Sequence, residues 1–359
     1  MNQQTIPASG AALSSALEPL LAWFSEHRRS LPWRDDPTPY HVWLSEIMLQ
    51  QTRIEAVLPY YDRFLSVCPT VTALSRVDDG TLMKLWEGLG YYSRARNLKK
   101  AATVIVDQYA GVLPADYEAL RALPGIGAYT AGAIASIAYG LPEPAVDGNV
   151  LRVITRLSGC TEDITKESTK RAITATLREI YPTGARASDL TQAIMELGQR
   201  VCIPNGEPHC KECPLGAFCC ARTQQLTDVI PVKTPKKPRR QEQHTILLLL
   251  CGDKVAIHKR GSTGLLAGLW EFPALCGYPE KAELLDMLQA LCGEISSLCR
   301  DVDAVHIFTH VEWHMQAYVV QCAAESENFV WVNRSELADK YAIPSAFRAY
   351  VKRIDALLP

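Results

Sequence analysis

Five of the twelve cysteines in this 359-residue chain lie between Cys202 and Cys220. Cys202, Cys210, Cys213 and Cys219 are separated by seven, two and five residues, and Cys220 follows directly. The intervening stretches, IPNGEPH and PLGAF, are loop-like and carry no core periodicity. Four thiolates this close together can close round one metal centre. Zinc and an iron–sulfur cluster both fit, and the spacing leaves that choice open. Because four protein ligands leave no position for substrate, either centre would be structural.

Two carboxylates have the types and settings that acid–base chemistry needs. Glu46 lies in WLSEIMLQQT, where Leu44, Ile47 and Met48 imply partial burial. Burial raises a carboxyl pKa and keeps a proton available for donation. Local pattern alone also allows a surface glutamate on a polar stripe. Asp147 opens DGNVLRV, where an aspartate is by default a helix N-cap. Two carboxyl groups in unlike environments are what glycosidic cleavage requires: one gives a proton, the other faces the cationic sugar. Between them, LPGIG (Leu123 to Gly127) separates two helical runs. Its glycines permit a tight turn and close backbone approach. The N–H groups of the next helix then point outward, as a phosphate site needs. A plain helix–helix turn would read the same way.

These residues must be positioned by helices. From about Ala11 to Arg222 apolar residues recur at helical spacing, as in Leu13, Leu17, Leu20, Leu21 and Phe24, or Val57, Tyr61 and Phe64. A single helix is expected over Ala128–Tyr139. Near Thr223 the texture changes. The stretch 232–240, VKTPKKPRR, is basic and proline-rich and reads as a solvated linker. Beyond it the period becomes that of strands. Thr245–Cys251 and Val255–His258 flank a Gly252–Asp253 turn, and further strands are expected around Val305–Phe308, Ala317–Cys322 and Phe329–Val332. Helices are expected over Lys281–Leu291 and Ser345–Leu357. The expected organisation is a helical domain over 1–228 containing the cysteine loop 202–220, a linker over 229–242, and an α+β domain over 243–359.

A composition of 48% hydrophobic and 21% charged residues excludes a disordered or fibrous chain. No apolar run is long enough to span a bilayer. MNQQTIPASG has neither the positive start nor the apolar core of a signal peptide, so a cytoplasmic protein without membrane contact is expected. The net charge of −2 does not mark a basic nucleic-acid binder, but phosphate contacts need only a local cluster such as Arg94, Arg96, Lys99 and Lys100.

Taken in order, SEIMLQQT, GLGYYSRARNL, LPGIGAYTAGAI, VDGNVLRV and the cysteine cluster resemble the endonuclease III superfamily of DNA glycosylases, and within it the adenine DNA glycosylase (MutY) branch. The resemblance covers nearly the whole chain. It implies a multidomain fold: an all-α helix-hairpin-helix glycosylase domain with a [4Fe–4S] cluster loop, followed by an α+β Nudix-like domain. The implied reaction is removal of adenine mispaired with 8-oxoguanine or guanine in double-stranded DNA, by a monomer. It implies that Glu46 protonates adenine N7 and that Asp147 stabilises the sugar cation or adds to it, with Tyr129 and Asn149 in support. Gln51, Leu89 and Tyr91 match residues that intercalate beside the lesion, and Gly125 and Gly127 match the phosphate-binding hairpin. Cys202, Cys210, Cys213 and Cys219 match the cluster ligands, with Cys220 as runner-up for the fourth. The first cysteine gap is seven residues here and six in the family pattern, which alters loop geometry.

Position 129 discriminates within the superfamily. Lyase members carry a lysine there, whose amine attacks the sugar; Tyr129 cannot form a Schiff base, so no efficient strand cleavage is expected. In the second domain, RGSTGLLAGLWEFP (260–273) resembles the start of a Nudix fold. The segment 281–291 lacks the carboxylate cluster that would hold magnesium, which implies a recognition module. The family's Phe-Ser-His lesion-reading loop appears as Phe308–Thr309–His310, a serine-to-threonine change that keeps the hydroxyl. Three rival readings remain: a pyrimidine glycosylase, opposed by Tyr129; a non-catalytic damage binder, opposed by Glu46 and Asp147 together; and a Nudix hydrolase, opposed by the missing carboxylates.

Overall fold

The computed structural model describes residues 10–235 and 238–359. Lys236 and Lys237, within the expected linker, lie outside the described residues, as does most of the N-terminal stretch read for a signal. The residues pack as two units. One comprises the chain up to Arg76 together with Arg96–Pro235; the other comprises Val77–Ala95 and the chain beyond Pro235. Among the described residues no helix is long and apolar enough to cross a membrane.

The first unit is helical. Helices Pro39–Leu49, Gly148–Ser158 and Ala185–Arg200 are the ones that position the site. The first starts where Thr38 caps it by accepting from His41 N at 3.2 Å and Pro39 occupies N1, where a missing N–H costs nothing. Its residues Tyr40 to Met48 are all buried except His41, Glu46 among them. The Gly148–Ser158 helix is capped by Asp147, which accepts from Val150 N at 2.8 Å. It ends on Gly159 in the left-handed region (φ 71°), a position where a side chain would also crowd Cys220.

The hairpin glycines have separate reasons. Gly125 sits at φ 76°, and a Cβ there would approach Asn97 Cβ to 2.5 Å, so glycine is required twice over. Gly127 caps the next helix with open space around it. The expected helix over Ala128–Tyr139 is not uniform: Ala128–Ala133 is α-helical and Ile134–Ala138 is π-helical. Ser136 and Thr191 hold this widened turn. Ser136 donates to Gly132 O at 2.7 Å, and Thr191 Oγ1 lies 2.8 Å from Ser136 Oγ. A π-turn is set by such tertiary bonds and leaves no mark in apolar periodicity.

The second unit is built on one sheet of β1 (Arg240–Cys251), β2 (Lys254–Lys259), β3 (Trp270–Glu271), β4 (Ala274–Cys276), β5 (Ile295–Arg300), β6 (Ala304–Ile307), β7 (Val311–Cys322) and β8 (Val330–Asn333). Its main path runs β3-β2-β1-β7-β5; β4 pairs with β1, β6 with β7, and β8 with β2. The β1–β2 hairpin turns on Gly252 at φ 59°, as Gly252–Asp253 predicts. β1 and β7 run parallel over eleven paired positions, from Arg240↔Val311 to Leu250↔Gln321. Both sheet faces are buried. Leu248, Leu250, Trp313 and Met315 pack with Phe347, Tyr350 and Ile354 of the C-terminal helical segment; Leu247, Leu249 and Val320 pack with Leu284 and Leu288 of the Lys281–Cys292 helix.

Several boundaries differ from expectation. β1 starts at Arg240 and β7 at Val311, earlier than the apolar runs suggest: the first half of β1 (Arg240 to Thr245) is wholly polar, and that of β7 alternates polar residues with Val311, Trp313 and Met315. β3, β4 and β5, and the helix Arg334–Lys340 with its Asn333/Glu336 capping box, lay outside the expected elements. The final helix opens as a 3-10 turn over Ser345–Phe347.

Candidate active site

A cavity of about 720 Å³ opens in the helical unit and is lined by Glu46, Gln51, Tyr129, Asp147 and Asn149 together. Glu46 reaches it from the buried side of the Pro39–Leu49 helix, Tyr129 from the start of the helix after the hairpin, and Asp147 from its cap position. Three separated stretches of sequence thus meet at one place.

Glu46 is 6% exposed. Burial, opposed by a hydrogen bond from Tyr129 and reinforced by the nearby Asp147 carboxyl, pushes its pKa up to about 7. Tyr129 Oη donates to Glu46 Oε2 at 2.5 Å and lies 3.9 Å from Met195 Sδ. Burial and the facing carboxyls hold the phenol well above its ordinary range, so it stays a donor. Asp147 is also raised by burial, but its oxygens are bonded differently: Val150 N donates to Oδ1 at 2.8 Å and Asn149 Nδ2 to Oδ2 at 2.7 Å. Donors aimed at both oxygens favour the ionised form. The N-cap reading of Asp147 and its placement in the cavity are therefore both true, because the cap bond uses only one oxygen.

Arg152, one turn further on, fixes this end of the helix. Its guanidinium donates to Asn149 Oδ1 at 2.9 Å, to Gly198 O at 2.6 Å and to Cys202 O at 2.7 Å. A further network escaped the sequence reading: Glu196, fully buried, accepts from Arg29 Nε at 2.5 Å and from Arg34 at 2.9 Å. Burial opposes its ionisation, but the two guanidinium groups more than offset this and its pKa is lowered. Arg29 and Arg34 line the cavity. The available signal was a glutamate among Ala193, Ile194 and Leu197 on an amphipathic helix, a position that needs a buried partner.

Cys202, Cys210, Cys213 and Cys219 surround a second, small cavity with Val201, Pro208 and Gly216; Cys220 is absent from its lining and packs against Gly159. Arg156 donates to Cys202 Sγ at 3.3 Å and to the carbonyls of Ile203, Thr227 and Ile230 at 2.7–3.1 Å. A buried guanidinium against Cys202 Sγ, in a pocket lined by four sulfurs with Arg156, Arg222 and Thr227 beside Val201, Pro208 and Gly216, suits an anionic group held by thiolates. Loss of a seventh residue would shorten the Cys202–Cys210 loop, which here folds back through His209 N to Val201 O at 2.9 Å.

Leu89 and Tyr91 belong to the other unit. Gly88, Gly90 and Tyr91 all have positive φ, and Arg94 clamps the turn by donating to Leu89 O and Gly90 O at 3.1 Å each. Leu89 is buried, whereas Tyr91 is 46% exposed and its Oη lies 2.8 Å from Thr309 Oγ1. Gln51, too, is a non-glycine residue at positive φ (60°). Non-glycine residues held left-handed are strained and concentrate at functional sites. Thr309 and His310 form the exposed tip between β6 and β7, closed by Phe308 N to Val311 O at 2.9 Å. Phe308 itself is half-buried against Trp313, with ring centroids 4.9 Å apart.

Residues 44–179 match the HhH-GPD superfamily of base excision DNA repair proteins, and residues 245–353 match the NUDIX domain. The helical unit's fold is similar to a thermostable thymine-DNA glycosylase (TM-score 0.52, 25% identity, covering 60% of this chain and 98% of that one) and to endonuclease III in a trapped covalent DNA complex (TM-score 0.52, 25% identity, 61% and 99%). Fold and site thus define a helix-hairpin-helix base excision DNA glycosylase with a Nudix-like C-terminal domain. The human adenine DNA glycosylase is 32% identical over 402 residues, covering 92% of this chain and 73% of that protein; the mouse protein is 34% identical (83% and 69%), and that of Buchnera aphidicola subsp. Acyrthosiphon pisum 32% (88% and 90%). The chain belongs to the adenine DNA glycosylase family.

Proposed function

We propose that this chain is a monofunctional glycosylase that hydrolyses the N-glycosidic bond of adenine paired with 8-oxoguanine or guanine in duplex DNA. The observation that carries this reading is the buried Glu46, near neutrality in pKa, facing the bonded Asp147 across one cavity. An extrahelical adenine enters that cavity, since the target atom is unreachable inside a duplex. Glu46, whose burial lifts its pKa to about 7, gives its proton to N7, and the base leaves as a neutral group. Asp147, whose oxygens accept from Val150 N and Asn149, serves as the carboxylate that stabilises or captures the sugar cation until water completes hydrolysis. Tyr129, a permanent donor to Glu46, has no amine for a Schiff base, which supports excision without strand cleavage.

Gly125 and Gly127 would meet a phosphate, and Gln51, Leu89 and Tyr91 would enter the stack at the lesion. The Phe308–Thr309–His310 tip would read 8-oxoguanine on the opposite strand. Cys202, Cys210, Cys213 and Cys219 would hold a [4Fe–4S] cluster. Bound there, such a cluster would supply a structural tie in the loop that Arg152 and Arg156 contact. The functional organisation is then a catalytic domain over 1–228, a connecting stretch over 229–242 and a recognition domain over 243–359, in a monomeric cytoplasmic enzyme.

The test is a single-turnover assay on duplex DNA with adenine opposite 8-oxoguanine, run with and without alkali. Breaks only after alkali support the proposal. Release of a pyrimidine in its place, or breaks without alkali, would sink it.

A further inference from the structure

Residues 77–95 fall inside the stretch that matches the HhH-GPD superfamily, yet they pack with the C-terminal unit. They comprise the Asp79–Leu85 helix, capped by Asp78 through Thr81 N at 2.9 Å, and the turn through Leu89 and Tyr91 that follows it. The turn is stiff in itself. Besides the Arg94 clamp, Trp86 Nε1 donates to Gly90 O at 3.1 Å from a fully buried indole. A stiff turn goes where its anchor goes, and the residue just before it is Glu87.

Both carboxylate oxygens of Glu87 are engaged. Oε1 accepts from the backbone N of Ile343, 256 residues away, at 2.8 Å. Oε2 pairs with Lys84 Nζ at 2.6 Å, and Lys84 in turn donates to Tyr341 O at 3.3 Å. The 341–343 stretch that receives these bonds is itself fixed. Ala342 O accepts from Trp270 N at 3.4 Å, and the Tyr341 and Trp270 rings meet edge to face at 4.8 Å. Ile343 is buried in the apolar cluster that contains Trp313, and Phe308 packs against that same cluster. Turn and tip therefore stand on one core, and Tyr91 Oη meets Thr309 Oγ1 at their far side.

We infer that Glu87 is a positioning residue for lesion preference: through Ile343 N it fixes the Leu89–Tyr91 turn to the body that carries Phe308–Thr309–His310. This rests on the function proposed above, in which the turn enters the stack and the tip reads 8-oxoguanine. Groups on one rigid body dock together, and the second docks without a second loss of freedom. A duplex whose 8-oxoguanine engages the tip then also receives the turn; one holding guanine engages the tip less and gains less from the turn. Glutamate suits the position because a charged acceptor makes the stronger bond to an N–H.

The full-length protein is compared with Glu87→Ala and Glu87→Gln in two measurements. Hydrogen–deuterium exchange without DNA should show faster uptake over 86–93 in Glu87→Ala, with uptake over 39–49 and 148–158 unchanged. Glu87→Gln should stay near wild type, because its amide oxygen still accepts from Ile343 N. Affinity is then measured for duplexes in which 2′-fluoro-2′-deoxyadenosine, which resists excision, faces 8-oxoguanine or guanine. The preference for 8-oxoguanine should fall by roughly tenfold in Glu87→Ala, as for one hydrogen bond to a charged acceptor, and return in Glu87→Gln. Unchanged uptake over 86–93 in Glu87→Ala, or affinities for both duplexes that fall by the same factor, would overturn the inference. A wild-type protein that excises no adenine opposite 8-oxoguanine sinks the proposed function instead, and the exchange and affinity ratios still decide the role of Glu87.

Discussion

Tyr129 Oη and Glu46 Oε2 are joined by a 2.5 Å hydrogen bond inside the cavity of the helical unit. The bond spans 83 residues of sequence and ties the first turn after the hairpin to the helix that carries Glu46. Its effect on Glu46 opposes that of burial: desolvation favours the protonated acid, whereas the phenol favours the carboxylate. The balance falls at about pH 7, where an acid can both hold and deliver a proton.

Replacing Glu46 with glutamine keeps the size and the Tyr129 contact but removes the transferable proton. Single-turnover excision of adenine should fall by roughly 10²–10⁴-fold, the usual worth of general acid catalysis, while affinity for the mispaired duplex stays near the wild-type value. Rates measured in parallel with gel-shift binding check this. A Glu46→Gln enzyme excising at near-wild-type rate would refute the role assigned to Glu46.

The pH profile reports the same group. Glu46 must be protonated to act, so the excision rate should decline as pH rises through about 7. Tyr129→Phe deletes the bond that favours the carboxylate, so Glu46 should hold its proton to higher pH and the alkaline limb should move up. Lost positioning should lower the plateau as well. A limb unmoved between wild type and Tyr129→Phe would mean that another group controls it.

On replacing Glu46 with glutamine, stability should move opposite to activity. The folded pKa of Glu46, about 7, is raised above the ordinary 4.5. Below about pH 4.5 both folded and unfolded chains carry the proton, and the group costs nothing. As pH rises towards 7 the unfolded chain releases it first, so stability falls, and above 7 the loss is complete. A gap of this size is worth about 3 kcal/mol. Glu46→Gln, which cannot ionise, should therefore be more stable than wild type at about pH 8 by up to about 3 kcal/mol, with the gain gone near about pH 4. Urea denaturation at the two pH values measures it.

Much of this site was legible from residue types, but its reasons were not. Glu46 among Leu44, Ile47 and Met48 announces burial, since three apolar neighbours leave little polar face. Asp147 reads as a cap, and the structure shows that the cap bond leaves its second oxygen bonded to Asn149 and in the cavity. Nothing local in the sequence could pair Tyr129 with Glu46 or Glu196 with Arg29 and Arg34, because those contacts join helices whose packing periodicity does not specify. The π-turn at Ile134–Ala138 was hidden for the same reason. In the C-terminal unit, β5 was missed because ISSLCR has no apolar run or alternation and lies at the end of the sheet path, and the first half of β7 because polar residues interrupt Val311, Trp313 and Met315.

The fourth ligand of the proposed cluster is the sharpest discrimination the structure offers beyond the spacing. Cys219 and Cys220 are adjacent, and the sequence leaves either as the closing thiolate. Only Cys219 lines the small cavity shared by Cys202, Cys210 and Cys213; Cys220 begins a short helix and turns its side chain to Gly159. Cys219→Ser should therefore lose iron and the visible absorbance of the cluster and unfold at lower temperature. Cys220→Ser should keep both, because serine fits beside a glycine. Iron content with acid-labile sulfide, measured on both variants purified without oxygen, decides the matter. Loss of iron from Cys220→Ser with retention in Cys219→Ser would reverse the assignment and require the loop from Cys213 to Cys219 to fold otherwise.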